Sequence, residues 1–125
     1  MKPPMAAFAL LAVGCGSSAL APFQPEINNA PDNFQFQATG LTNLTTTVQY
    51  TWSNSGTAAT VNHSSTVSGG SATLIIKDAS GTQVYSGALV ASGTPATSAG
   101  VVGAWTIRVQ LVNTNGTLNF RVQKL

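Results

Sequence analysis

A single cysteine and a single histidine stand in 125 residues. With Cys15 alone, no disulfide can form within the chain, and metal sites built from several cysteines are excluded. Charge is equally scarce. Only 6% of the residues are Asp, Glu, Lys or Arg, against about 25% in an ordinary soluble domain. The carboxylates are Glu26, Asp32 and Asp78, and the cations are Lys2, Lys77, Arg108, Arg121 and Lys124. Nucleic-acid binding needs clustered cations that displace counterions from phosphates, and Arg121 with Lys124 makes no such patch.

General acid–base catalysis needs titratable groups that converge. One assembly can be drawn, His63 with Asp78 and a serine such as Ser64. Asp78 reads more simply as a turn residue in Lys77-Asp-Ala-Ser-Gly81, bonding nearby backbone amides. His63 reads as a partly exposed strand or loop residue. A carboxylate pair for glycoside cleavage has only Glu26 and Asp32 to draw on, both in or next to a proline-rich stretch. No catalytic residue, cofactor or metal ligand set is therefore expected, and the chain is expected not to be an enzyme.

Long apolar runs are missing too. The longest is Met5–Val13, behind Lys2 and two prolines, and it falls well short of the ~20 residues of a membrane-spanning helix. A basic start and a short apolar stretch instead fit a secretory signal. Leu11-Ala-Val-Gly-Cys15, followed by Gly16-Ser-Ser18, resembles the lipobox of bacterial lipoproteins. The resemblance implies cleavage before Cys15, acylation of its thiol and a membrane anchor through the attached lipid. Gly16 after the anchor leans towards the outer membrane. An ordinary signal peptide cut after Ala19-Leu20-Ala21 remains the alternative. Both place the protein outside the cytoplasm.

What is abundant is alternation. Hydrophobic residues make up 43% of the chain, and past the leader none shows helical spacing. Phe34, Phe36 and Ala38 share one strand face, with Gln35 and Gln37 on the other. Val48, Tyr50 and Trp52, then Ala59, Val61 and His63, then Ala72, Leu74 and Ile76 continue the pattern. Trp105, Ile107, Val109 and Leu111 precede Leu118, Phe120 and Val122. Period two marks half-buried strands. Tight turns are expected at Ser68-Gly-Gly70, Lys77–Gly81 and Asn113-Thr-Asn-Gly116, where Gly and Asn supply positive backbone angles. Between Ser86 and Gly103 a strand is expected near Ala88-Leu-Val90 and a mobile loop around Thr94-Pro95.

The reading is an all-β, two-sheet antiparallel β-sandwich, immunoglobulin-like or jelly-roll. It follows a signal helix over residues 1–14 and a lipid-anchored extended tether over 15–31, and occupies 32–125. Leu74-Ile-Ile-Lys-Asp-Ala-Ser-Gly-Thr-Gln-Val84 resembles a hairpin of many bacterial surface sandwiches, and Gly103-Ala-Trp-Thr-Ile-Arg-Val109, with Gly116 and Phe120-Arg-Val122, resembles the closing hairpin of bacterial pre-peptidase C-terminal domains. That likeness implies a non-catalytic appendage used in secretion, attachment or substrate binding. Many members bind calcium through acidic loops that this chain lacks.

Function is expected to be binding, scaffolding or adhesion at the bacterial cell envelope, with an envelope protein or a polysaccharide as partner. Two alternatives stand beside it. One is a carbohydrate-binding module that uses exposed aromatics, with Tyr85, Trp52 and Trp105 as candidate ligand contacts. The other is a surface-fibre subunit, since uncharged edge strands invite pairing. Trp52 is in phase with Val48 and Trp105 with Ile107, which favours the core for both. Tyr85 is out of phase with Val84 and is expected outside.

Overall fold

The computed structural model describes residues 20–89 and 92–125. The signal helix and Cys15 lie outside the described residues.

Two strands of 22 residues organise the sheet, β2 (Asn33–Asn54) and β7 (Gly103–Lys124). They pair antiparallel from Asn33↔Gln123 to Asn54↔Gly103, with register slips between Ala38 and Thr46. The slips coincide with left-handed backbone at Gly40, Asn43, Asn113 and Gly116. Bulges of this kind bend a strand and sharpen its twist, and here both strands fold over at the same level. A third long run lies along the other edge of β7. It consists of β3 (Ala59–Ser64) and β4 (Thr66–Lys77), and it extends from Ala59↔Lys124 to Lys77↔Thr106.

The result is an all-β antiparallel sandwich whose two layers belong to one folded seven-stranded sheet. The first layer holds β1 (Glu26–Ala30), the start of β2, the end of β7, β3 and the short β6 (Ser92–Gly93). The second holds the end of β2, the start of β7, β4 and β5 (Gln83–Ala88). The layers meet where β2 faces itself, the Phe34 and Tyr50 rings lying 5.3 Å apart. At the far rim Asp32 N donates to Ser53 O at 2.9 Å.

The alternation places its apolar faces inside. Phe34, Phe36, Ala38, Trp52, Leu74, Ile76, Ile107, Phe120 and Val122 are all buried. Trp52 and Trp105 sit opposite each other across the β2–β7 ladder, edge to face at 6.0 Å and 89°. Each indole N–H is satisfied, Trp52 by Ala30 O at 3.0 Å and Trp105 by Val101 O at 2.7 Å. Burial with a bonded polar handle is the arrangement that lets tryptophan occupy a core.

Several local expectations change. Asn113–Gly116 and Ser68–Gly70 do not end strands; β7 and β4 run through them. The positive backbone angles that would make hairpin turns serve the corner instead. A Cβ at Gly116 would fall on the Thr66 carbonyl, and one at Gly70 on the carbonyls of Val112 and Asn113. Residues 26–30, expected within the tether, form the edge strand β1, paired with β2 through a two-residue turn at Pro31-Asp32. Leu20 is fully buried in the core, just before a 3-10 turn over Ala21–Phe23.

The segment around Thr94-Pro95 is a hydrogen-bonded strap between the layers rather than a free loop. Val61 N donates to Pro95 O and Thr97 N to Ala59 O on one side, and Ser98 N to Val84 O on the other. Ala88 closes β5 and Leu89 is buried, while Val90 lies outside the described residues.

Replacing Trp52 or Trp105 with Ala should cost about 3–5 kcal/mol through transfer and cavity terms, read from urea unfolding. Gly116→Ala should also destabilise the fold, because the new methyl meets backbone in a left-handed position.

Candidate binding groove

The outward positions of the first layer carry side chains that sequence phase alone could not assemble. Cross-strand register sets Asn28 on β1 opposite Gln35 on β2, Gln35 opposite Arg121 on β7, and Arg121 opposite Asn62 on β3. Two residues along, Glu26 is opposite Gln37 and Gln37 opposite Asn119, with Ser64 in the same phase as Asn62. These two rows line an open groove of about 640 Å³. Strands lie about 4.8 Å apart and same-face residues about 6.7 Å apart, so the field is roughly 14 by 7 Å.

Inside this field Arg121 is held. With the Gln35 amide oxygen turned towards the guanidinium, it accepts from Nε at 3.0 Å and from Nη2 at 2.9 Å. Asn28, Gln37, Asn62 and Asn119 are exposed, and their amides make no side-chain hydrogen bond within the described chain. Amides at the corner behave differently. Asn115 accepts from Asn43 N and donates to Asn43 Oδ1 and Asn113 O, and Asn113 N donates to Thr45 Oγ1. Those amides hold the bend. Of the groove amides only Gln35 is engaged, on Arg121.

The residues singled out from sequence fall elsewhere. Trp52 and Trp105 have no exposed surface, so neither can stack on a ligand. Tyr85 is half-buried rather than fully outside, packed against the core. Its ring lies over Gly87, where an added Cβ would come within 2.5 Å of the phenol oxygen. Burial raises the Tyr85 phenol above its ordinary pKa. Cys15 lies outside the described residues.

The drawn assembly of His63, Ser64 and Asp78 is not brought together. His63 is buried on the inner face of β3, not partly exposed, and Ser64 is exposed on the outer face. Both Asp78 oxygens are occupied, Oδ1 within its own turn and Oδ2 by the segment before β7. Oδ1 accepts from Ser80 N, Ser80 Oγ and Thr82 N, and Oδ2 accepts from Val101 N at 2.9 Å. Asp32 does similar work at the same rim. It accepts from Ser55 N at 2.7 Å and Ser55 Oγ at 2.8 Å, with Lys124 Nζ 3.8 Å away. Among the described residues no group of three or more His, Cys, Asp or Glu could hold a metal ion.

The groove is not legible in any one stretch of sequence, because its rows combine the β1–β2 hairpin with β3 and β7, which lie far along the chain. One of those strands, β1, carries too little apolar alternation to be read as a strand. The available signal was the outward Gln35 and Gln37.

Both aspartates have a pKa below the ordinary 3.8. For Asp78 the main cause is the Ser80 hydroxyl, and for Asp32 it is the Ser55 backbone N–H. A depressed carboxylate stabilises the fold fully above its unfolded pKa, and that contribution is lost as pH falls through the folded one. Asp78→Asn should therefore lower the melting temperature at pH 7. The gap between variant and wild type should narrow as pH drops below 3.8. A gap independent of pH, read by calorimetry from pH 7 to pH 2, would show that charge at Asp78 is irrelevant.

Set against known proteins, the chain matches no family model and no curated protein.

Proposed function

We propose that this protein is an exported, lipid-anchored module of the bacterial envelope that works by binding, and that it binds through the amide-lined groove. The groove carries the functional half of the reading. It gathers unbonded donors and acceptors on one sheet face, where they can hold a partner by hydrogen bonds.

The anchoring half rests on the leader and on Leu20. Cleavage after Ala21 would remove a side chain that is fully buried in the core. Cleavage before Cys15 keeps it. Five peptide steps separate Cys15 from Leu20, about 18 Å at full extension. A lipid on Cys15 would hold the sandwich close to the membrane surface instead of lifting it on a long tether. Several acyl chains make that attachment durable, since each buried methylene contributes about 0.8 kcal/mol.

Mass spectrometry of the mature protein should show an N-terminus at Cys15 with added acyl mass, and Cys15→Ser should leave the precursor unprocessed or release the domain from membranes. An unacylated N-terminus at Pro22 would overturn the anchor. For the groove, a Gln37→Ala, Asn119→Ala double variant should fold and be exported but fail to rescue a deletion strain. Full rescue would remove the groove from the function.

A further inference from the structure

We infer that the ligand of this groove is an uncharged polysaccharide strand, an inference that rests on the groove being the binding site. The chemistry of the lining selects it. Asn28, Gln37, Asn62 and Asn119 each offer a donor and an acceptor side by side, and Ser64 adds a hydroxyl. A ligand that satisfies such a field must itself present donors and acceptors at closely repeated positions, as sugar hydroxyls do.

Other ligand classes match less. The formal charges in the lining are Glu26 and Arg121, one of each sign, so the field has no net attraction for a polyanion. Arg121 is already engaged by Gln35, which accepts from two of its nitrogens. An extended peptide would gain main-chain hydrogen bonds at a sheet edge, not on a sheet face, and would draw on apolar pockets for its side chains. The large apolar residues that are most exposed, Val101, Val102, Val112 and Leu125, are not among the lining residues. The apolar lining is the half-buried Pro25 and Ile27 with the buried Phe36 and Phe120, a small surface for a lipid tail.

The outer face of the second layer shows the contrast. Its central strands present Thr47, Gln49 and Thr51 beside Thr106, Arg108 and Gln110, and Gln49 is bonded to Arg108 at 3.0 Å. That outward face mixes threonines with Gln49, Arg108 and Gln110, whereas the groove brings four amides without a side-chain hydrogen bond into two adjacent rows. Aromatic stacking, the usual expectation for sugar binding, is absent from the groove lining apart from Phe36 and Phe120, whose side chains are buried. Affinity here would come from hydrogen bonds and shape, and would be modest for short sugars and greater for a strand that spans all four β-strands.

The test titrates the full chain with soluble neutral glucans and with chitin-type oligosaccharides. An acidic polygalacturonate and anionic lipid vesicles run in parallel. A neutral polysaccharide should bind with an affinity that hardly changes between low and high salt, because no counterions are exchanged. Gln37→Ala and Asn119→Ala should each weaken binding about tenfold, the scale of one lost hydrogen bond. Gln49→Ala, on the other layer, should leave it unchanged, and circular dichroism would confirm that all three variants are folded. Binding of only the acidic polymer or the vesicles, with steep salt dependence, would overturn the inference. If no neutral polysaccharide binds yet the groove variants still fail to rescue the deletion, the ligand class is wrong and the groove stands. If those variants rescue fully, both fall together.

Discussion

Everything in this molecule depends on the pairing of β2 with β7 and on the register slips at the middle of that ladder. Because both strands bend at one level, each contributes to both layers, and the inner face of one half meets the inner face of the other. Phe34 packs on Tyr50 of its own strand, and Trp52 on Trp105 of the partner. The corner tolerates no larger residue at Gly70 or Gly116, where a Cβ would meet backbone carbonyls of the neighbouring strand. The close approach of β4 and β7 there is what allows the third run of strand to follow the bend.

The shortage of charge decides how the rest is built. With few ionic groups, the polar contacts of the fold are made mainly by amides and hydroxyls. Two of the three carboxylates, Asp32 and Asp78, are consumed at the rim as acceptors for loop N–H groups. The corner asparagines bond one another and adjacent backbone. Polar side chains that serve neither purpose collect on the outer face of the first layer, where β1, β2, β7 and β3 bring them into two rows.

The parts of the fold that were legible in the sequence were those governed by local alternation. Phe34-x-Phe36-x-Ala38, Ala72-x-Leu74-x-Ile76 and Trp105-x-Ile107-x-Val109 all turned their apolar faces inward, and the placement of Trp52 and Trp105 followed from phase. What failed was connectivity. Asn113 and Gly116 announced positive backbone angles, yet a hairpin turn and a corner bulge require the same residues and differ only in the non-local partner. Pro25 and Pro31 suggested a tether, although one strand fits between them and pairs with β2. Tyr85 followed its phase but folded back over Gly87, a contact that strand alternation does not encode. The groove was least legible, because each row takes one residue from each of its strands and pairing order cannot be read from any window of sequence.

The central claim is that the outward amides of the first layer are the working surface. Side-chain NH₂ resonances in a ¹⁵N-labelled protein report on those amides directly during titration with a neutral polysaccharide. Signals of Asn28, Gln37, Asn62 and Asn119 should shift together and saturate at one ligand concentration, while Asn43, Asn113 and Asn115 at the corner stay fixed. Shifts confined to the corner amides or to the Val101–Val102 rim, with the groove amides unmoved at saturation, would contradict it.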